Sequence, residues 1–195
     1  MKIKITLDEE MLGSQSNNKD VQAEFIGSKA PDAKSLEEEV ACVGVDETIQ
    51  KGMTVFPRDD KGKPFVWDYQ IKGFFKDACS ALSRCDGTKS GKIKAYKKII
   101  DGCIFPQPRK IMLNLPAGKG IGNCQRPLRG QTAQGERIAL ANSETVPTGT
   151  YIELDIKILD PKFEELVCEW LDYGALKGLG QWRNSGKGRF SWIRC

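Results

Sequence analysis

The chain has 195 residues, a formal net charge of +4, seven cysteines and no histidine. This length suits one domain with its own core, and no apolar run approaches the ~18 residues of a membrane span. The opening residues alternate and then turn acidic, which is not the pattern of a signal peptide. Because the cysteine count is odd and no CxxC pair occurs, we expect a reduced, cytoplasmic protein without a zinc site.

Three elements are predicted in the first half of the chain. Alternating aliphatic and polar residues predict a half-buried strand over 2–7. Residues 8–67 are polar and irregular, with an acidic helix predicted near 35–43. A helix follows over 68–84, because its apolar residues recur at spacings of three and four.

The middle of the chain is strongly basic. Residues 1–50 carry 5 basic and 11 acidic side chains, whereas residues 51–137 carry 18 basic and 7 acidic ones. The densest basic stretch is KSGKIKAYKK at 89–98, which suits a polyanion but also suits a solvated loop. The candidate contacts in this stretch are Lys92, Lys94 and Lys97.

After the basic loop, the pattern predicts short strands over 99–105 and 110–115. Residues 116–134 are rich in glycine, proline and polar side chains, which predicts a loop. Further strands are predicted over 137–142 and, from strict alternation, over 150–159.

The remaining elements complete a β-α-β-β-α-β order, which is the ferredoxin-like or RRM-like arrangement of an α+β domain. An amphipathic helix is predicted over 163–173 and a short final strand over 189–194. We therefore expect a single domain over 1–195, interrupted by insertions at 8–67 and 85–136. Its core elements are 2–7, 68–84, 137–142, 150–159, 163–173 and 189–194.

The segment 174–195, GALKGLGQWRNSGKGRFSWIRC, is the strongest functional signal in the sequence. It contains five glycines, five cations and no acidic residue. Glycines let a backbone approach a ligand closely, cations bind phosphates, and aromatic rings stack on bases. This composition predicts a nucleic-acid-binding loop between the last helix and the last strand. The candidate residues are Gly178, Gly180, Trp182, Arg183, Gly186, Lys187, Gly188 and Arg189.

The same loop does not fit a nucleotide-binding P-loop. That motif needs four residues between its first glycine and a Gly-Lys pair, followed by serine or threonine. Here five residues separate Gly180 from Gly186, and Gly188 follows Lys187. The weaker segment AGKGIGNC at 117–124 is more typical of an ordinary loop.

The loop resembles a family pattern, G-x-G-x-x-[RK]-x-x-G-x-G-[RK], of the CRISPR-associated RAMP superfamily. Members of this superfamily are RNA-binding backbone and processing subunits of CRISPR effector complexes. Further segments are similar to the family in the same order, and together they cover about a third of the chain. They are ITLDEEMLGSQS at 5–16, YQIKGFFKDAC at 69–79 and SETVPTGTYIELDIKIL at 143–159.

The resemblance implies an RNA-binding fold in which the loop glycines set the shape and Arg183, Lys187 and Arg189 contact phosphates. It places Lys72 near the start of a helix that faces the sheet, although a solvated lysine explains this residue as well. Trp182 either stacks on a base or covers the loop. The acidic first fifty residues and the unmatched middle insertion depart from the family, which leaves open a standalone relative from a phage or another mobile element.

Catalysis is not expected from this composition. Metal-free RNA cleavage usually needs histidine near neutrality, and the chain has none. The resembled backbone subunits can cut RNA with an aspartate after the first strand, and Asp8, Asp20 and Asp32 lie in the corresponding insertion. None of these lies in a recognisable motif, so we expect no catalytic residue, metal or cofactor. A metal-dependent endoribonuclease is kept as the least favoured alternative.

Two binding functions of different classes remain. In the first, the chain binds single-stranded or guide RNA through phosphate contacts, with CRISPR effector subunits or further copies of itself as partners. In the second, it is an anti-CRISPR-like interaction module that mimics a subunit and inhibits the complex. Neither function involves a membrane.

Overall fold

The computed structural model describes residues 1–17, 52–132 and 135–195, so the acidic helix predicted near 35–43 lies outside the described residues. The chain divides into two compact units, each with its own sheet. The first unit consists of Met1–Met11, Pro57–Gly120 and Val146–Cys195, and the second of Leu12–Phe56 and Ile121–Thr145.

In the described part of the chain, strands outnumber helices. The strands are β1 (Lys2–Leu7), β2 (Met11–Leu12), β3 (Gln15–Ser16), β4 (Thr54–Val55), β5 (Phe65–Trp67), β6 (Ile104–Gln107), β7 (Lys110–Met112), β8 (Gly122–Thr132), β9 (Gly135–Val146), β10 (Tyr151–Ile158) and β11 (Phe190–Arg194). The helices are α1 (Asp68–Leu82), α2 (Tyr96–Cys103), α3 (Glu164–Asp172) and α4 (Gly174–Lys177). Single 3-10 turns span Ser90–Lys92, Pro161–Phe163 and Arg183–Ser185.

The first unit is built on a four-stranded antiparallel sheet in the order β11-β1-β10-β6. Because side chains alternate along a strand, β1 buries Ile3 and Ile5 and leaves Lys2 exposed. Ile3 lies opposite Leu154 of β10, and Ile5 lies opposite Ile152, so the two strands bury the same face. The mixed α+β class predicted from the sequence is confirmed.

Helices α1 and α3 supply the second layer of this core. Trp170 of α3 is fully buried, and its ring centroid lies 5.6 Å from that of Phe75 in α1. Phe74 of α1 meets Phe190 of β11 edge-on at 5.4 Å. Aromatic contacts of this kind add to the hydrophobic burial that holds two helices on one sheet. Among the described residues, no helix is long and apolar enough to cross a membrane.

The second unit contains a long antiparallel hairpin, in which β8 pairs with β9 from Gly122 opposite Thr145 to Thr132 opposite Gly135. Strand β4 pairs in parallel with β9 and antiparallel with β3. This hairpin overturns the prediction of a loop over 116–134.

The structure also differs from the prediction in the middle of the first sheet. Residues 137–142 are extended, but they belong to β9 of the second unit, and the strand beside β10 is β6. The strand predicted over 99–105 begins instead as helix α2. Alternation identifies a strand without identifying its partner, and Pro106 weakens the strand pattern of β6. Proline is tolerated there because β6 is the edge strand of this sheet.

Candidate nucleic-acid interface

The glycine-rich loop, residues 178–189, is closed by backbone hydrogen bonds. Helix α4 ends at Lys177 with Gly178 as its C-cap, and the amide of Leu179 donates to the carbonyl of Gly188 at 2.8 Å. The amide of Gly188 in turn donates to the carbonyl of Glu10 at 2.8 Å. The loop is therefore tied both to itself and to the segment that follows β1.

Two glycines of the loop are required by backbone packing. A Cβ on Gly188 would lie 1.9 Å from the carbonyl oxygen of Leu179, and one on Gly178 would lie 2.5 Å from the carbonyl carbon of Gly188. Both residues also have positive φ, at +73° and +80°, where side chains are strained. Gly180 and Gly186 share the positive φ, at 78° and 86°. The conformation of the loop thus accounts for its glycines without a ligand.

Two of the three loop cations are paired with carboxylates of the same unit. The guanidinium of Arg183 donates to Asp77 of α1 at 2.7 Å, and both side chains are partly exposed. The ammonium group of Lys187 contacts the carboxylate of Glu10. Glu10 and Asp77 were missed by the sequence analysis, because each is more than a hundred residues from its partner. Only the fold reveals these two pairs.

Arg189 is placed differently from the other two loop cations. Its Nε donates to the carbonyl of Leu176 at 3.2 Å, and the residue is exposed. The carbonyl of Arg189 accepts hydrogen bonds from the amides of Asp8 and Glu9, at 2.8 and 3.2 Å. Its backbone is therefore fixed, and its guanidinium group lies beside Gly186 on the surface of the loop.

Trp182 lies at the tip of the loop in an unusual conformation. Its φ is 55° and its ψ is 33°, a left-handed region that is uncommon for a bulky residue, and it is 41% exposed. Ser185 stabilises this turn, since its amide and hydroxyl donate to the Trp182 carbonyl at 3.1 and 2.8 Å. An open groove of about 620 Å³ runs past the tip. Its lining is Asp77, Lys177, Gly180, Gln181, Trp182, Arg183 and Asn184.

Lys72 does not contact the loop. Its ammonium group lies 4.3 Å from the ring centroid of Phe105 and donates to the carbonyl of Asp101 at 3.2 Å. Lys76, one turn further along α1, forms a 2.6 Å ion pair with Asp101. This face of α1 is therefore turned toward α2 and β6, whereas Asp77 is the α1 residue that meets the loop.

The lysine segment, residues 89–98, forms the 3-10 turn Ser90–Lys92 and the start of α2. Lys92, Lys94 and Lys97 are all exposed. Among the residues that the structure describes, none of these three forms an ion pair, unlike the loop residues Arg183 and Lys187. Within the described part of the chain, these three lysines therefore present uncompensated positive charge to solvent.

A buried hydrogen-bond cluster anchors the lysine segment to α3. The hydroxyl of Ser90, which is fully buried, donates to the Glu169 carboxylate at 2.5 Å and accepts from the indole of Trp170 at 2.9 Å. Glu169 also accepts from the amides of Lys89 and Ser90, at 2.7 and 3.0 Å. At the surface, the hydrogen bond between Lys89 and Glu165 raises the pKa of the lysine and lowers the pKa of the carboxylate.

The carboxylates considered for metal-dependent cleavage do not form a site in the described part of the chain. Asp8 accepts a hydrogen bond from the Ser191 hydroxyl at 3.0 Å. Asp20 and Asp32 lie outside the described residues. Within residues 1–17, 52–132 and 135–195, no three histidine, cysteine, aspartate or glutamate side chains are grouped to hold a metal ion.

Comparison with known proteins gives a likeness in structure and none in sequence. No protein-family model and no curated protein matches the chain. A chain of the type III-B Cmr-beta structure, solved bound to cognate target RNA, superposes with a TM-score of 0.58 at 11% identity over 99% of this chain. This chain spans only 58% of that protein. The likeness shows a shared fold.

Two other solved structures are less similar. Cmr6 from Pyrococcus furiosus gives a TM-score of 0.49 at 10% identity, covering 99% of this chain and 97% of its own. A chain of a type IV-B CRISPR complex gives 0.45 at 11% identity, covering 98% of this chain and 88% of its own.

We call the hydrogen-bond cluster of Ser90, Glu169 and Trp170 the Ser90 anchor. Removing the Ser90 hydroxyl should lower the stability of the protein. Ser90→Ala leaves the Trp170 indole and the Glu169 carboxylate each short of a buried partner, so we expect a loss of about 2 kcal/mol in unfolding free energy. Urea denaturation measures the loss. Ser83→Ala, which removes an exposed hydroxyl, is the matched control and should change stability by less than about 0.5 kcal/mol. Equal midpoints for the two variants would contradict the anchor.

The close backbone approach at Gly188 predicts a second stability difference. Gly188→Ala combines a positive φ with the clash at Leu179, and we expect it to cost about 3 kcal/mol. Gly118→Ala is the matched control, because Gly118 has a φ of +75° but no atom within 4 Å of an added Cβ. It should cost only the strain, about 1 kcal/mol. Thermal melting of both variants tests whether the clash adds anything to the strain.

Proposed function

We propose that this chain is a non-catalytic RNA-binding protein that binds the phosphate backbone of single-stranded RNA. The observation that carries the proposal is the lysine segment, whose exposed Lys92, Lys94 and Lys97 are not ion-paired within the described residues. The Ser90 anchor fixes the 3-10 turn Ser90–Lys92, at which the lysine segment begins its ordered course. Lysines on an ordered backbone lose less conformational entropy on binding a polyanion than lysines on a disordered tail.

The proposed fold is the ferredoxin-like core of the RAMP superfamily. Along the chain, the strands of the main sheet of the first unit and the two helices that pack on it run β1, α1, β6, β10, α3 and β11. Their sheet has the antiparallel order β11-β1-β10-β6, with the glycine-rich loop joining the last helices to the last strand. The likeness to the Cmr-beta chain, which was solved with its target RNA, supports this assignment and a role in a CRISPR effector complex.

The glycine-rich loop is proposed as the second phosphate contact. Arg189 is exposed, and among the described residues its guanidinium group donates through Nε alone, which leaves most of its donors for a ligand. Arg183 and Lys187 reach phosphate by exchanging their carboxylate partners, Asp77 and Glu10, for phosphate oxygens. Both ion pairs are partly exposed, so the exchange costs little Coulomb energy.

A second candidate function is an interaction module that occupies a subunit position in an effector complex without binding free RNA. The specific observation in its favour is that Glu10 and Asp77 compensate two of the loop cations. A charge-compensated loop is better suited to a protein surface than to a bare phosphate chain. The two candidates differ in whether the isolated chain binds RNA.

The lysine segment provides a direct test of RNA binding. The triple variant Lys92→Gln, Lys94→Gln and Lys97→Gln should weaken binding of a labelled single-stranded RNA and reduce the slope of log affinity against log salt by about two. Fluorescence anisotropy at several salt concentrations measures both quantities. The binding site loses three phosphate contacts, while the Ser90 anchor is untouched.

The matched control for this triple variant removes the same charge elsewhere. Lys61→Gln, Lys63→Gln and Lys119→Gln change three exposed lysines outside both proposed contacts. They should leave the salt slope close to that of the unmodified chain. An equal effect of the two triple variants would show that only net charge matters, and complete absence of RNA binding by the unmodified chain would favour the interaction module.

The two ion pairs of the glycine-rich loop predict a gain in RNA affinity when their carboxylates are removed. Glu10→Gln with Asp77→Asn removes the carboxylates that compete with phosphate for Lys187 and Arg183, so RNA affinity should rise by about threefold or more. Asp59→Asn with Asp60→Asn adds the same net charge in a surface turn and is the control. Equal gains from the two double variants would argue against phosphate binding by the loop cations.

A further inference from the structure

A ladder of three aromatic rings leads from the core of the first unit to its surface. Phe65, Trp67 and Tyr69 alternate along β5 and into the first turn of α1. The Phe65 and Trp67 rings meet edge-on at 4.8 Å, and the Trp67 and Tyr69 rings stack at 6.1 Å with planes 15° apart. Phe65 is 2% exposed, whereas Tyr69 is 54% exposed. The ladder therefore begins as core and ends as a flat surface in water.

The backbone holds this ladder rigidly. Strand β5 pairs with β7, with Trp67 opposite Lys110. The amide of Trp67 donates to the side-chain oxygen of Gln70 at 2.8 Å, and the amide of Asp68 donates to the carbonyl of Arg109 at 3.0 Å. The start of α1 is thus fixed on both sides, and Tyr69 is presented by ordered backbone.

Two cations flank the rings, Lys110 in β7 and Arg109 immediately before it. The guanidinium of Arg109 lies 5.5 Å from the Trp67 ring centroid, and the ammonium of Lys110 lies 5.4 Å from that of Phe65. Arg109 is 71% exposed and keeps one 3.3 Å contact with Asp68. The Asp68 carboxylate also accepts from the amide of Tyr69 at 2.8 Å, so it is engaged at the helix start.

An open groove of about 570 Å³ runs beside Arg109, in the same unit. It passes Gln107, Pro108 and Lys2, with Glu153 and Asp155 on its wall. Asp155 is paired with Lys157 at 2.9 Å, so one of these two carboxylates is compensated. The groove provides space for a chain that continues away from the aromatic rings.

We propose that Tyr69, backed by Trp67 and flanked by Arg109, is a stacking site for an unpaired base of single-stranded RNA. This site rests on the proposed function and adds base contact to the phosphate contact described above. An exposed ring beside a cation is the arrangement by which proteins hold single strands without reading their sequence. Partial burial raises the pKa of Tyr69, so its hydroxyl stays protonated near neutral pH.

The test compares two probes of equal length and charge, a fluorescein-labelled oligouridylate and an abasic oligomer, in anisotropy titrations of the full chain. The unmodified chain should bind the oligouridylate about tenfold more tightly, because only that probe can stack. Tyr69→Ala should abolish this preference, and Tyr69→Phe should retain it. Leu159→Ala, which removes a 68% exposed apolar side chain at the end of β10, is the control and should retain it.

The outcomes separate this inference from the proposed function. Equal binding of both probes by the unmodified chain, or an undiminished preference in Tyr69→Ala, would overturn the stacking site while leaving phosphate binding intact. Binding of neither probe would overturn both proposals. Circular dichroism of Tyr69→Ala checks that the variant is folded, as we expect for a substitution at an exposed position.

Discussion

The contact between Gly188 and Leu179 determines how the glycine-rich loop is arranged. At this point two backbone segments approach so closely that no side chain fits, and their hydrogen bond closes the loop. The amide of Gly188 also donates to Glu10, which joins the loop to the segment after β1. Because of this closure, the positions of Lys187 and Arg189 relative to the sheet are set by the protein itself. Any ligand meets a preformed loop, which lowers the entropic cost of binding.

The cations discussed above fall into two groups, those paired with carboxylates and those without such a pair in the described residues. On the loop, Arg183 and Lys187 are compensated by carboxylates from distant parts of the sequence. On the lysine segment, the exposed Lys92, Lys94 and Lys97 have no such compensation among the described residues, and a buried cluster around Ser90 holds the turn on which Lys92 lies. Exposed, unpaired cations contribute most to salt-dependent binding of a polyanion, because each phosphate contact releases a counterion.

The aromatic ladder shows how one pattern can serve both core and surface. Alternation places Phe65 and Trp67 on one side of β5, and the first turn of α1 continues the series with Tyr69. Burial falls along the series, so the inner ring belongs to the core while the outer ring remains exposed. The ladder, the lysine segment and the glycine-rich loop all lie in the first unit.

Local periodicity and composition were enough to predict the α+β class, the strands at 2–7, 150–159 and 189–194, and helices close to α1 and α3. They were also enough to single out the basic, glycine-rich terminal segment, because glycine and charge content are read directly from the sequence. Strand partners were not predictable in this way. Residues 137–142 pair with β8 in the second unit, and β6 takes the edge of the first sheet.

Tertiary structure alone decided which cations are compensated and which aromatic rings reach the surface. Glu10 and Lys187 are brought together by strand pairing across nearly the whole chain, and no local pattern contains that contact. Arg109 reaches the Trp67 ring because β7 pairs with β5. Hydrophobic periodicity reports which face of an element is buried, but only the packing of elements determines which charges and rings become neighbours.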